Sequence, residues 1–413
     1  MALNPQQPVA RLLVVGGGMA GLGAALAVQR ARPDVAITLL EQAPEFSEIG
    51  AGIQLGPNAV RVLHDWGLAE ALARVAAFPQ RLSVRRATDG VTLGTLPLGA
   101  AVQQRYAAPY ATIHRADLHT LLLRALQEGP AALYTGQRVQ RLELQPDGVC
   151  AVGSDGQLWP ADAVLLADGI WSTLRSRLLG DGAPVFSGHV AYRGLLPLKD
   201  APTSVPHEEV VAWLGPRLHG VHYPVRAGTW LNVVLVVEGP LPQGEPPGWD
   251  HEATRGQLLQ VLGPVHRELQ ALLDAVPQWR QWPLFGRAPM RGPHEHARGR
   301  VGVLGDAAHP MRPYLAQGAA MALEDAWTLG RLLPPVAQPV DWPLLLQRWA
   351  RWRWARNARV QSRSRRNGSI FHAQGLLRWG RDLALALLGP RLLDQPWLYA
   401  GPPDPRAAVG GQG

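Results

Sequence analysis

Apolar and polar positions along this chain recur with two periods, one of strands and one of helices, and the switches between them mark its elements. Leu12 to Val15 is a short, partly β-branched apolar run that reads as a buried parallel strand. A glycine turn and a helix follow it, and Ala36 to Leu40 reads as a second strand. Pro57 opens a helical pattern over Asn58 to Trp66 that Gly67 stops. Leu82 to Ala87 and Thr92 to Leu96 flank Asp89-Gly90 and predict a hairpin. His114 to Asp117 opens an amphipathic helix whose Leu118, Leu121, Leu122 and Leu126 face the core. From Leu133 to Leu166 the strand pattern returns, with turns at Asp147-Gly148 and Asp155-Gly156.

Between Val185 and Val237 the pattern changes character, predicting several strands joined by short turns and no long helix. A Pro/Gly-rich loop, Gly239 to Gly248, leads to a helix near Glu252 to Ala275. Arg300 to Leu304 reads as another buried strand, and Gln317 to Met321 starts a helix running to about Leu333. Trp342 to Leu388 is helical, and Gly401 to Gly413 reads as a frayed tail. The predicted fold class is α/β. A Rossmann-like nucleotide domain occupies 1–184 and resumes at 286–340, a β-rich domain is inserted at 185–285, C-terminal helices occupy 341–400, and a flexible tail spans 401–413. The insertion makes a cleft between two sheets, a common place for cofactor and substrate to meet.

The first strand meets Gly16, Gly18 and Gly21 in G-x-G-x-x-G spacing. Gly16 permits the tight turn, Gly18 lets backbone N–H groups approach a pyrophosphate, and Gly21 lets the helix pack close to the strand. The anion then sits at a helix N-terminus. Glu41 follows the second strand, about twenty positions past the last glycine, where a carboxylate accepts hydrogen bonds from a ribose. Phe46 to Leu55 reads as a loop across a ligand. Arg115, at the head of its helix, is either a surface residue or a phosphate contact. Asp168, at the end of a strand, is a ligand contact, a helix cap, or both.

Composition narrows the class. The chain has 413 residues, 47% of them hydrophobic, enough for a large core and two or three structural units. No apolar run reaches the length of about eighteen residues that a membrane helix needs, so no membrane span is expected. The glycines of Leu12 to Val28, with Pro5 and Pro8 before them, argue against a signal peptide, and a cytoplasmic protein is expected. Cys150 is the only cysteine, which excludes an intrachain disulfide and a multi-cysteine metal site; no metal is expected. The net charge of +8 would welcome anionic ligands. The basic, tryptophan-bearing stretch RWARWRWARNARVQSRSRR reads as an ordinary helix rather than a nucleic-acid surface. Leu345, Trp349 and Trp352 fall near one face, with the arginines solvated or snorkelling, so no nucleic-acid partner is expected.

Three motifs stand in order: GGGMAG with Glu41, ADGIWSTLR, and VGVLGDAAHPMRPYLAQGAAMALEDA, followed by SRRNGSIFHAQG and WLY. Together they resemble the single-component (group A) FAD-dependent aromatic hydroxylases, specifically the salicylate, 3-hydroxybenzoate and 6-hydroxynicotinate hydroxylase group. The resemblance implies a Rossmann-like FAD-binding domain in which Gly16, Gly18 and Gly21 contact the pyrophosphate and Glu41 the ribose. It makes Arg115 a cofactor contact and sets Val139 near the adenine. It implicates Asp168 in FAD and pyridine-nucleotide binding, and gives the ribityl chain to Asp306. Gln54 and the stretch Pro313 to Ala319 are expected beside the isoalloxazine, with the Gly318 and Ala319 amides facing its N1 and O2 region.

The implied chemistry is reduction of FAD by NADH or NADPH, reaction with O2 to a flavin C4a-hydroperoxide, and oxygen transfer to a small electron-rich aromatic ring, a carboxylated phenol or hydroxypyridine. Other flavin-dependent oxidation or epoxidation, or a non-catalytic redox sensor, is the alternative. A homodimer is allowed for. A phenol of pKa near 10 is only about 0.1% ionised at pH 7, a deficit of about 4 kcal/mol, so a base is useful. Tyr192 and His189, in SGHVAYRG, are the candidates; on a regular strand they point to opposite faces, so one acts. His222, Tyr223 and Tyr314 are expected to line the substrate site. Arg312 is the candidate anchor for a substrate carboxylate, with Arg193 and Arg226 as rivals. His309 is expected to orient the flavin loop rather than move a proton.

Overall fold

The computed structural model describes residues 10–46, 50–242 and 251–409. Its first sheet has six strands in the order Ala297–Arg298, Val301–Val303, Ala163–Leu166, Arg11–Val15, Ala36–Leu40, Ala132–Tyr134. All neighbours are parallel except the first pair. Register aligns their C-terminal ends: Val15 pairs with Leu40 on one side and Leu166 on the other, and Leu166 pairs with Val303. Gly16, Glu41, Ala167-Asp168 and Leu304 to Asp306 therefore emerge along one edge, where open α/β sheets bind ligands.

Helices Met19–Ala31 and Gly318–Leu332 pack against each other beside this sheet. Small residues let them approach: a Cβ at Gly330 would lie 3.1 Å from the Ala27 carbonyl oxygen, and one at Gly23 would lie 3.5 Å from the Ala326 Cβ. Leu22, Leu26, Leu323 and Leu329 are sealed from water there, each worth roughly 1.5–3 kcal/mol.

The second sheet has eight strands in the order His251–Ala253, Trp279–Gly286, Val185–Pro197, Trp230–Glu238, Leu218–Val225, Glu209–Gly215, Arg81–Arg86, Thr92–Pro97. The hairpin at Asp89-Gly90 thus forms as expected, with Gly90 at φ +75°, but it completes the inserted sheet rather than the nucleotide domain. Its parallel pairing with Glu209–Gly215 is a long-range contact that local pattern does not carry.

Alternation gives this sheet two faces. One carries Val190, Tyr192, Trp213, Leu218, Val233 and Leu235 under helices Arg255–Leu262 and Arg267–Ala275. The predicted single helix is these two, broken at Gly263 with φ +69°. The other face carries Ala191, Val236 and Leu284 toward Tyr314. Of the expected loop Phe46 to Leu55, residues 47–49 lie outside the described residues, and Gly52–Leu55 is a strand paired with Ala111–His114. Residues 243–250 of the Pro/Gly-rich loop likewise lie outside them.

Two helices, Trp342–Phe371 and Gly375–Leu393, close the structure. Leu345 and Trp349 are buried as their spacing predicts, but Arg353 is buried with them rather than solvated. The segment after Gly401 is not wholly frayed: Asp404 pairs with Arg331. Among the described residues no helix is long and apolar enough to cross a membrane.

Candidate active site

The glycine turn has the geometry its spacing implies. Gly16 sits at φ +107°, and a Cβ there would lie 2.4 Å from the Ala167 carbonyl oxygen. A Cβ at Gly21 would lie 1.8 Å from the Gly16 carbonyl oxygen. Gly18 is the N-cap residue of helix Met19–Ala31, which has neither a capping side chain nor an acidic residue in its first turn. Uncapped helix N-terminal amides of this kind suit an anion. Glu41 Oε2 accepts from Gly17 N at 2.6 Å and Oε1 from Ala43 N at 2.8 Å, which fixes the carboxylate beside the turn. Val139, buried against Leu13, Val15 and Leu40, starts the strand next to this corner.

The return segment reaches the same edge. A Cβ at Gly305 would lie 2.5 Å from the Ala20 Cβ, so the Asp306 loop rests on the start of the first helix. Desolvation raises the Asp306 carboxyl above its ordinary value, with Arg115 opposing. A Cβ on Gly318 would lie 3.9 Å from Asp306 Oδ1, and helix Gly318–Leu332 also begins without a side-chain cap. The Gly318 and Ala319 amides are thus open. Burial pushes Asp168 up to about 6, with Ser172 opposing, and its Oδ1 has no hydrogen-bond partner. The helix cap is Ser172, whose Oγ accepts from Arg175 N at 2.9 Å, so Asp168 is not the cap. Arg175, a residue the sequence reading passed over, donates to the Ala307 carbonyl at 2.6 Å and ties the two motifs together. An uncapped helix, two desolvated carboxyls and an orphaned oxygen fit a dinucleotide bearing ribose hydroxyls and a pyrophosphate.

Beneath this edge lies a buried ionic network. His309 Nε2 lies 2.5 Å from Asp325 Oδ2, which also faces Gly305 N at 3.3 Å. Asp325 Oδ1 accepts from Arg353 Nε at 2.8 Å and Asn357 Nδ2 at 2.9 Å. Glu324 accepts from Arg353, Arg356 and Asn58. His309 is therefore fixed under the loop. The Glu324-Asp325 pair carried no signal beyond its place in a quoted motif.

A cavity of about 650 Å³ opens between residues 313–316 and the inserted sheet. Gln54, Tyr110, His219, Val221, Tyr314 and Arg363 are among its walls. Tyr110 donates to Gln54 Oε1 at 2.6 Å, and Tyr223, its hydroxyl raised by burial, hydrogen-bonds the same residue. The Tyr314 hydroxyl is buried without a partner. His189 lies one layer behind, its ring 5.9 Å from Tyr314 and 4.9 Å from His372, and burial lowers its basicity.

Two expected site residues face the wrong way. Tyr192 points into the helix-covered core, opposite in sense to Ala191. His222 accepts from Trp213 Nε1 at 3.2 Å on that same face, and burial pushes it down to about 3. Strand alternation is the reason: His219, Val221 and Tyr223 share the cavity side, and position 222 cannot. His219 is the histidine the sequence reading missed; the parity of its strand relative to Tyr223 was the available signal. Arg312, half-buried, lines two smaller cavities rather than this one. Arg193 stacks on Trp282 at 4.1 Å and Arg226 on Trp230 at 5.5 Å. Two arginines stand in the cavity wall: Arg381, bonded to Asp382 and the Phe371 carbonyl, and Arg363, whose Nε is buried without a hydrogen-bond partner.

With this geometry in place, the likeness to known proteins is specific. A family model described as an FAD binding domain matches residues 9–363, and the chain belongs to that family. A 3-hydroxybenzoate 6-hydroxylase of Polaromonas naphthalenivorans is 38% identical over 392 residues, 94% of this chain and 95% of its own. A 6-hydroxynicotinate 3-monooxygenase of Bordetella bronchiseptica is 36% identical over 328 residues, 78% of this chain and 82% of its own. A salicylate hydroxylase substrate complex matches with a TM-score of 0.78 at 26% identity, covering 95% of this chain and 97% of that one. Klebsiella pneumoniae HpxO complexed with FAD and uric acid matches with a TM-score of 0.81 at 25% identity, covering 93% and 94%. The class is that of the FAD-dependent aromatic hydroxylases, and FAD is the cofactor.

Proposed function

We propose that the protein uses NADH or NADPH and O2 to hydroxylate a small carboxylated phenol or hydroxypyridine in the 650 Å³ cavity. The observation that carries this is the presence, in the wall of one mostly apolar cavity beside residues 313–316, of a buried imidazole and of a guanidinium whose Nε has no partner: His219 and Arg363. The relatives named for hydroxybenzoate and hydroxynicotinate support the same substrate class. Such an enzyme would work in the cytoplasm, where pyridine nucleotides are supplied.

When bound, FAD supplies the redox chemistry, taking electrons from the pyridine nucleotide and activating O2. Gly16, Gly18 and Gly21 would hold its pyrophosphate, Glu41 the ribose, Asp306 the ribityl chain, and Gln54 with the Gly318 and Ala319 amides the ring. Arg115 and Asp168 would complete the contacts, and Val139 would flank the adenine. The rest falls to the cavity. Val210, Ala212, Leu214 and Val221 make its sheet wall apolar, and charge interactions set against that wall are stronger than in open water. Arg363 would pair with the substrate carboxylate.

His219 would accept the phenol proton. It is buried in the wall, and desolvation together with the neighbouring His372 and His189 lowers it well below the ordinary histidine value, so it is neutral and holds a lone pair at pH 7. Loss of the proton turns the substrate into the electron-rich phenolate.

The test is direct. The purified protein should show the yellow flavin spectrum, and carboxylated phenols or hydroxypyridines should stimulate NADH or NADPH oxidation with a product one oxygen heavier. A flavin-loaded protein that yields no oxygenated product with any member of both classes overturns the reading.

A further inference from the structure

His219, His372 and Glu238 make one line from the cavity to the surface. His219 Nδ1 lies 2.8 Å from His372 Nε2, and His372 Nδ1 lies 3.2 Å from Glu238 Oε1. Both histidines are buried, while the Glu238 side chain is 33% exposed. Separate segments deliver the members: neighbouring strands Leu218–Val225 and Trp230–Glu238 carry His219 and Glu238, and His372 caps the long helix Trp342–Phe371.

Donor and acceptor bookkeeping assigns the protons. A carboxylate only accepts, so His372 carries its hydrogen on Nδ1 and presents a lone pair on Nε2. His219 must then donate from Nδ1, which leaves its Nε2 lone pair for the cavity. The tautomer a base needs is thus set two residues away.

We propose that Glu238 and His372 hold His219 in its base form and conduct the substrate's phenol proton out of the cavity. The proposal rests on the hydroxylase reading above. As the phenol O–H breaks, His219 Nε2 gains the proton and its Nδ1 proton passes to His372 Nε2. The Nδ1 proton of His372 passes to Glu238, which releases it to water. Negative charge moves from Glu238 to the phenolate, and then Glu238 regains its own.

The surroundings push a proton outward. His219 is held well below the ordinary histidine value by burial, by His372 and by His189. His372 is pushed down to about 4 by burial and by His189, with Glu238 opposing and Arg312 adding to the depression. Tyr314 packs on His219 at 4.8 Å, and the outer partner of Glu238 is Arg217, 3.3 Å away. Neither imidazole retains a second proton, and the line ends on the one member that meets solvent.

The experiment has two arms, both on FAD-loaded protein. Ring ¹⁵N NMR should find His219 and His372 as Nδ1–H tautomers; an Nε2–H tautomer at His219 overturns the proposal whatever the substrate. With 3-hydroxybenzoate as the probe, Glu238→Gln and His372→Gln should each lower kcat about 10- to 100-fold at pH 7 while KM moves little. The deficit should shrink as pH rises toward 10, where the phenol ionises unaided. Wild-type kcat in both variants, or a deficit constant with pH, overturns the relay. A wild-type enzyme that hydroxylates neither this probe nor any other carboxylated phenol or hydroxypyridine counts against the hydroxylase reading, and the NMR arm still decides the tautomers.

Discussion

Arg353 Nε stands 2.8 Å from Asp325 Oδ1, and both side chains are sealed from water. The contact ties the basic helix Trp342–Phe371 to helix Gly318–Leu332, whose N-terminus meets the Asp306 loop. Through His309, it also holds that loop. Replacing Arg353 by Met would leave two buried carboxylates underpaired and should cost about 3–5 kcal/mol, read as a fall in denaturant midpoint. Burial raises the Asp325 carboxyl, but His309 and Arg353 outweigh it and the net shift is downward. A carboxyl depressed on folding stabilises above its unfolded pKa of about 4 and loses that contribution as pH falls below it. Asp325→Asn should therefore flatten the acid limb of the wild-type stability curve.

Gly16→Ala should abolish the yellow colour. A Cβ there meets the Ala167 carbonyl at 2.4 Å in a backbone conformation, φ +107°, that side chains avoid. The strain alone is of order 1–3 kcal/mol, and relieving the clash moves the turn that receives the pyrophosphate. Flavin content after purification checks this; a fully loaded variant would remove the glycine turn from the cofactor site.

The two faces of the inserted sheet can be told apart by kinetics. Tyr192→Phe, on the helix-covered face, should hydroxylate within about threefold of wild type. His219→Ala should lose about 10²-fold or more in kcat. The reverse ranking would place the base on the other face.

Arg363→Met should raise KM for a carboxylated phenol about 10- to 100-fold, the range of a charge-assisted hydrogen bond of roughly 1.5–3 kcal/mol. It should leave KM for the uncarboxylated phenol nearly unchanged. Equal effects on both would assign Arg363 to the fold instead of to recognition.

Much that depends on near neighbours was legible in the chain, though the helix break at Gly263 was not. The strand from Leu12, the glycine spacing, Glu41 at the end of the second strand and the hairpin at Asp89-Gly90 are local patterns whose physics is local: φ freedom, alternation and helix ends. The resemblance carried by the ordered motifs extended this to the cofactor and the reaction class.

Tertiary structure decided what local pattern leaves open. Which face of the eight-stranded sheet meets the cavity depends on which helices cover the other, so Tyr192 and His222 turned away and His219 turned inward. Arg353 left solvent because two carboxylates on a distant helix compensate its desolvation, and Arg363, a few residues on, entered the cavity wall because the helix turns it there. Side chains close in space but more than a hundred residues apart, such as His219 and His372, have no sequence signature of their contact; only the packing of sheet against helix creates it.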